Sequence, residues 1–135
     1  MANLGKQPFG YIAACILFAL LSGCGGGSGD GTGSSSKTLS WNPPTTYSDS
    51  TPLDPARELE GYEIYVKETG AFSETDLPMA EVGAIVPGTG QLLTSFDLEN
   101  LAPFLSPGAT YQVSIRAVSF SGLKSAFSAS AALSF

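Results

Sequence analysis

Histidine is absent from this 135-residue chain, and its two cysteines, Cys15 and Cys24, both lie near the N-terminus. The missing histidine removes the commonest general base, the commonest transition-metal ligand and the usual partner of a serine or cysteine nucleophile. Downstream of Cys24 there is no thiol, so that part can form neither a disulfide nor a thiolate metal site. Basic residues are scarce: six Lys and Arg face twelve Asp and Glu, the net charge is −6, and no basic cluster stands out. Nucleic-acid binding needs a basic footprint, which argues against such a partner. The same shortage argues against adsorption to anionic headgroups, so any membrane attachment needs another source. No apolar run reaches membrane-spanning length. Residues 11–21 supply about 11 apolar positions, where a spanning helix needs about 20.

What is present at the N-terminus is ordered like a leader. Lys6 gives a basic start, residues 11–21 (YIAACILFALL) give an apolar centre, and Leu21-Ser22-Gly23-Cys24 follows. This pattern resembles the bacterial lipobox: Leu, a small residue, Gly or Ala, then Cys. The resemblance implies a diacylglyceryl group on the Cys24 thiol, signal peptidase II cleavage between Gly23 and Cys24, and acylation (palmitate or a similar chain) of the new amine. The competing reading is an ordinary secretory signal with a chance cysteine. The basic start, the centre's length, the box and the linker after it agree on the lipoprotein. Two or three acyl chains anchor stably where one does not, at about 0.8 kcal/mol per buried methylene. Gly25, not Asp, follows Cys24, and by the same resemblance this points to the outer membrane.

Residues 25–36 (GGGSGDGTGSSS) offer nothing apolar to bury and much glycine entropy to lose. They read as a tether with a root-mean-square reach of about 20 Å. Asp30-Gly31-Thr32-Gly33 lacks the flanking elements and further carboxylates of a calcium or phosphate loop. The organisation is therefore a signal peptide at 1–23, a lipidated Cys24 and linker at 24–36, and one domain at 37–135, of about 100 residues. Losing Lys6 and no acid takes the mature charge from −6 to −7.

After Lys37 the dominant pattern is alternation, not a helical period. Leu39 and Trp41 share a face before Asn42-Pro43-Pro44. Tyr62, Ile64 and Val66 point one way; Glu63, Tyr65 and Lys67 point the other. Residues 82–86 form a short strand. Residues 92–98 put Leu92, Thr94, Phe96 and Leu98 on one side. Tyr111, Val113, Ile115 and Ala117 face inward, with Gln112, Ser114 and Arg116 outward. The last strand, 127–135, aligns Phe127, Ala129, Ala131, Leu133 and Phe135. Six strands separated by Pro/Gly turns predict an all-β antiparallel sandwich. Ala56-Arg57-Glu58-Leu59 predicts one helical turn.

Four stretches, Leu39-Ser40-Trp41-Asn42-Pro43-Pro44, Leu59-Glu60-Gly61-Tyr62-Glu63-Ile64-Tyr65, Leu105-Ser106-Pro107-Gly108-Ala109-Thr110-Tyr111-Gln112-Val113 and Ala117-Val118-Ser119-Phe120-Ser121-Gly122, resemble a fibronectin type III (immunoglobulin-like) domain. The resemblance covers nearly all of 37–135. It implies that Trp41 is the core tryptophan of strand B, Tyr62 the core aromatic of strand C, and Tyr111 the corner tyrosine opening strand F beside Leu105 or Leu101. Strand A is short or absent, leaving one edge open. Ala102-Pro103-Phe104 reads as a small insertion at the E–F corner that exposes Phe104.

Candidates for chemistry are few. Asp49, Asp54, Glu58 and Glu60 offer oxygens for calcium, but in no known loop spacing; solubility explains them equally well. Glu63 with Glu68, or Asp97 with Glu99, offers a glycosidase-like pair, against the ordinary reading of solvated surface acids. Tyr47, Tyr65 and Phe72 offer an exposed aromatic strip as a ligand-binding site of the kind that holds sugars, against cross-strand packing. No serine has a recognisable catalytic partner, and no Arg-Gly-Asp tripeptide occurs. The sequence thus predicts no catalytic residue, no metal and no cofactor beyond the lipid at Cys24. The expected function is a membrane-anchored, non-catalytic module that binds or scaffolds a protein or polysaccharide by strand addition or loop contacts. Its rivals are a carbohydrate-binding or accessory subunit of a cell-surface enzyme and a structural envelope component.

Overall fold

The computed structural model describes residues 37–135. The expectations for residues 1–36 lie outside the described residues: the leader with Cys15, the cut between Gly23 and Cys24, the lipid on Cys24, the tether, and any strand A drawn from 31–36.

Two long strands organise the rest. β2 (Leu59–Lys67) and β5 (Thr110–Ser119) carry the strongest alternation of β-branched and aromatic residues, and they pair antiparallel from Leu59↔Ser119 to Lys67↔Gln112. β3 (Ala80–Gly83) adds to β2, and β6 (Ala131–Ser134) adds to β5, giving a four-stranded antiparallel sheet in the order β3-β2-β5-β6. β1 (Thr38–Ser40) and β4 (Ser95–Asp97) form a second, two-stranded antiparallel sheet. A single core joins the two sheets. Leu39 and Trp41 come from the first; Tyr62, Ile64, Tyr111, Val113, Ile115, Ala117 and Leu133 come from the second. These include the inward positions predicted from alternation for both long strands except Val66, which is half-buried and packs against the core.

α1 (Pro55–Glu58) is the expected single turn. Asp54 caps it by accepting from the Ala56 N–H, Pro55 opens it with its preset φ, and the Glu58 carboxylate accepts from the Asp54 N–H at 2.5 Å. It stops at once because Leu59 turns extended and is buried as the first residue of β2.

A 3₁₀ helix (Leu98–Phe104) crosses one end of the molecule between β4 and β5. Its Leu98 N–H donates to the Lys37 carbonyl at 2.8 Å, and the Gly108 N–H donates to the Phe135 carbonyl at 2.6 Å. The entry of the described chain, this helix and Phe135 therefore share one pole. The opposite pole holds the 42–58 loop, a hairpin over 84–93 and the turn after β5, where the Phe120 N–H donates to the Glu58 carbonyl.

Beside the strand expected at 92–98, which shortens to Ser95–Asp97 because Leu92 pairs with Ile85 and Leu98 opens the 3₁₀ helix, three sequence expectations are corrected. The strand expected at 82–86 is Ala80–Gly83; after Ala84, whose N–H still donates to the Glu60 carbonyl, the chain leaves β2, and residues 84–86 pair with 91–93. The expected strand 127–135 shrinks to Ala131–Ser134. Regular pairing from Val113↔Ala131 would set 115 against 129 and 117 against 127. Instead Ile115 meets Ser128 and Ala117 meets Ser125, with the serine hydroxyls accepting the β5 N–H groups at 2.9 Å. Each one-residue slip turns a side chain to the other face, so Phe127 lies on the face opposite Leu133. The third correction concerns that face: Ser114 and Arg116 point outward as predicted, yet both are buried.

Candidate functional site

The outer face of the four-stranded sheet has a covered half and an open half. The cover is the 68–79 loop. Lys67 Nζ ties it down by donating to the Ala71 carbonyl and to Asp76, each at 2.8 Å. The Lys67 ammonium, then the Ser73 N–H, hold the Asp76 carboxyl below the usual carboxylate range. Phe72 packs on Tyr65 and Phe127, with ring centroids 6.3 and 5.8 Å away, and Tyr65 meets Phe127 edge-on at 4.9 Å. Arg116, 3 % exposed, donates to the Ser125 carbonyl and to Glu74, each at 2.7 Å, and its guanidinium stands 4.4 Å from the Phe127 ring centroid. A second small core thus sits on what alternation marks as a solvent face.

This arrangement decides the expected aromatic strip. Tyr65 is 2 % exposed, and it is not joined by Tyr47. Tyr47 packs against the main core and donates its hydroxyl to Glu58 at 3.1 Å; burial, then that carboxylate, raises its pKa. Only Tyr65 and Phe72 are brought together, as packing partners. The Tyr65 hydroxyl donates to Glu63, whose other oxygen accepts from Lys124 at 2.7 Å. Burial, then the Glu63 carboxylate, pushes the Tyr65 pKa far above the ordinary phenol value. The protonated phenol is what the fold favours. Its stabilising contribution is therefore whole below about pH 10, the unfolded value, and is lost as pH rises beyond it. A urea midpoint that falls above pH 10 in the wild type, and falls less in Tyr65→Phe, is the expected result. Equal alkaline slopes in the two proteins would contradict it.

The acidic candidates resolve into local structural duties. Asp49 accepts from the Thr51 hydroxyl and N–H, at 2.6 and 2.9 Å, and these bonds lower its pKa. Asp54 and Glu58 cap α1. Asp97 caps the 3₁₀ helix by accepting from the Glu99 N–H, so that pair is a cap. Glu63 lies within β2 and Glu68 beyond its end, an odd number of residues apart; they do not face one another across a site. Among the described residues, no group of three or more acids is arranged to hold a metal ion.

The open half was not singled out from sequence. Gly61 and Gly83 stand directly opposite each other on β2 and β3, with Val118 beside Gly61 on β5. Two missing side chains leave a cleft of about 320 Å³, walled by Glu60, Glu63 and Glu81. Glu63 is engaged by Tyr65 and Lys124, which leaves Glu60 and Glu81 as its exposed carboxylates. β3 is also an edge of the sheet. The Ala84 N–H bonds back to Glu60, so by antiparallel alternation the backbone groups of Glu81 and Gly83 face away from β2. The sequence signal for this site is a glycine inside a strong strand, which marks close backbone approach. An alanine Cβ at Gly61 would lie 2.2 Å from the Val82 carbonyl oxygen. Comparison of the chain with protein-family models, with curated proteins and with solved structures returns no match.

Proposed function

We propose that this protein is a lipid-anchored, non-catalytic recognition module of fibronectin type III-like sandwich form, held at the outer membrane through Cys24. Several features support the fold assignment. The sheets pair as β1-β4 and β3-β2-β5-β6. Trp41 packs on Tyr62 with ring centroids 4.9 Å apart. The Tyr111 hydroxyl accepts the Ser106 N–H at 2.8 Å, as a corner tyrosine does. The anchor rests on the lipobox resemblance. The mass of the mature N-terminal peptide tests it: an unmodified Cys24 thiol in protein taken from membranes refutes it.

The observation that carries the binding reading is the β3 edge beside the glycine-floored cleft. An extended protein segment pairs with the outward N–H and C=O groups of Glu81 and Gly83. One of its side chains leans into the cleft, where Glu60 and Glu81 select Lys or Arg. The aromatic strip no longer supports a sugar site, because Tyr65 is held under Phe72 and Phe127.

Two substitutions test this without disturbing the ladder to β2. Glu81→Pro removes an outward N–H. Gly83→Val fills the cleft; a Cβ there has its nearest neighbour at 3.8 Å. A photo-crosslinker at position 81, used in the intact envelope, is expected to capture a basic extended segment. Both substitutions should weaken that captured complex at least tenfold, while Thr89→Ala on the distal hairpin leaves it unchanged. A partner that binds all three variants as tightly as wild type sinks the assignment.

A further inference from the structure

Among the described residues three large apolar side chains are exposed: Leu77 in the 68–79 loop, Phe120 beyond β5, and Phe104. Phe104 is 73 % exposed at the end of the 3₁₀ helix. Pro103 and Pro107 beside it are exposed as well, and Phe135 at the same pole is half-buried with the Lys37 ammonium 3.9 Å from its ring centroid. Across the whole corner from Leu98 to Thr110 the only ionisable side chain is Glu99, at the end away from Phe104. The far pole exposes Phe120 among charged loops. Residues 49–60 carry Asp49, Asp54, Glu58 and Glu60 against Arg57 alone.

The described chain enters at the Phe104 pole, since Lys37 is bonded to the first residue of the 3₁₀ helix. We infer that the Phe104 corner is a membrane-docking surface, which lays Phe104 into the interface of the same bilayer that holds the Cys24 acyl chains. This rests on the anchor proposed above. Only twelve residues separate Cys24 from Lys37, so the pole placed nearest the bilayer is the one by which the described chain enters. One phenylalanine and two prolines would not hold a free protein at a membrane. A lipidated protein is already there, and the tether turns docking into an intramolecular step at high effective concentration. Aromatic rings favour the interfacial layer. Docked so, the β3 edge and the far loops face away from the lipid.

The test uses the full acylated protein in phosphatidylcholine vesicles, with and without phosphatidylcholine brominated near the top of its acyl chains. Phe104→Trp and Phe120→Trp each add one indole to the buried Trp41. Phe120, 69 % exposed at the far pole, is the control. Brominated lipid is expected to quench the emission added at position 104 at least twofold and to leave that added at position 120 unchanged. Pro107→Trp gives the same readout if Phe104→Trp fails to fold. Acylated protein whose position 104 is unquenched overturns the docking alone. A blue shift there without quenching means that a protein partner or a second copy covers the corner, and also overturns it. Absence of an acyl mass on Cys24 overturns the anchor, and the docking with it.

Discussion

Gly61→Ala is expected to cost about 3 kcal/mol or more, an effect out of proportion to one methyl group. The added Cβ would sit 2.2 Å from the Val82 oxygen, 3.1 Å from its carbonyl carbon and 3.3 Å from the Gly83 Cα. All three are backbone, so no rotamer can relieve the clash. Either β3 moves away from β2, breaking the Tyr62↔Val82 pairing, or β2 bends where its pairing with β5 already shifts register between Leu59 and Gly61. In a domain of this size each kcal/mol moves the melting temperature by about 4–8 °C, so a drop of more than about 12 °C is expected. Gly83→Ala, directly across the ladder, should stay within about 0.5 kcal/mol. Its Cβ meets nothing nearer than 3.8 Å. Thermal melts of the two variants check this, and similar melting temperatures would show that the strands approach less closely than described.

Trp41→Ala should remove about 3–5 kcal/mol. Trp41 is 3 % exposed, packs on Tyr62 and fills the space between the sheets. A stability of 5–15 kcal/mol is ordinary for a domain, so this variant stands close to unfolding. The polar atoms of the same pair behave differently. Trp41 Nε1 and the Tyr62 hydroxyl are both buried without a hydrogen-bond partner. Burial raises the Tyr62 pKa, and the neighbouring Trp41 N–H pulls it part of the way back. The two groups feel one another but miss bonding geometry. An unsatisfied buried hydroxyl costs about 1–3 kcal/mol. Tyr62→Phe should therefore be neutral or stabilising by up to about 1 kcal/mol, where a buried tyrosine with a bonded hydroxyl would lose stability. Denaturant midpoints separate the cases. A loss above about 1 kcal/mol in Tyr62→Phe would mean that its hydroxyl has a partner, such as a bound water.

Much of the second small core follows from groups that alternation cannot interpret. Period-two patterning states which way a side chain points, and for Glu63, Tyr65, Ser114 and Arg116 it does so correctly. It does not state what lies above them. Their burial depends on the 68–79 loop folding back through Lys67 and Asp76, and on the register slips that bring Phe127 over Arg116. Those slips depend on Ser125 and Ser128 hydroxyls accepting backbone N–H groups in place of carbonyls. In sequence, such serines look like the polar side of a regular strand. An arginine inside the run Val113-Ser114-Ile115-Arg116-Ala117-Val118 was the one local hint that this face is not simply solvated.

By itself, the sequence determined the mostly β, antiparallel class, the two long central strands, their inward faces and one helical turn expected at 56–59 and found at Pro55–Glu58. Each of these follows from local periodicity or capping chemistry, which needs only neighbouring residues. It also determined the small set of groups available for chemistry, since a chain without histidine cannot gain one by folding. Tertiary structure alone decided that Glu63 is engaged by Lys124 while Glu60 and Glu81 stay open. It decided that Tyr65 is covered, that Gly61 and Gly83 meet to floor a cleft, and that Phe104 shares a pole with the chain entry. These are contacts between residues far apart along the chain, fixed by strand register and loop path, and no local pattern carries them.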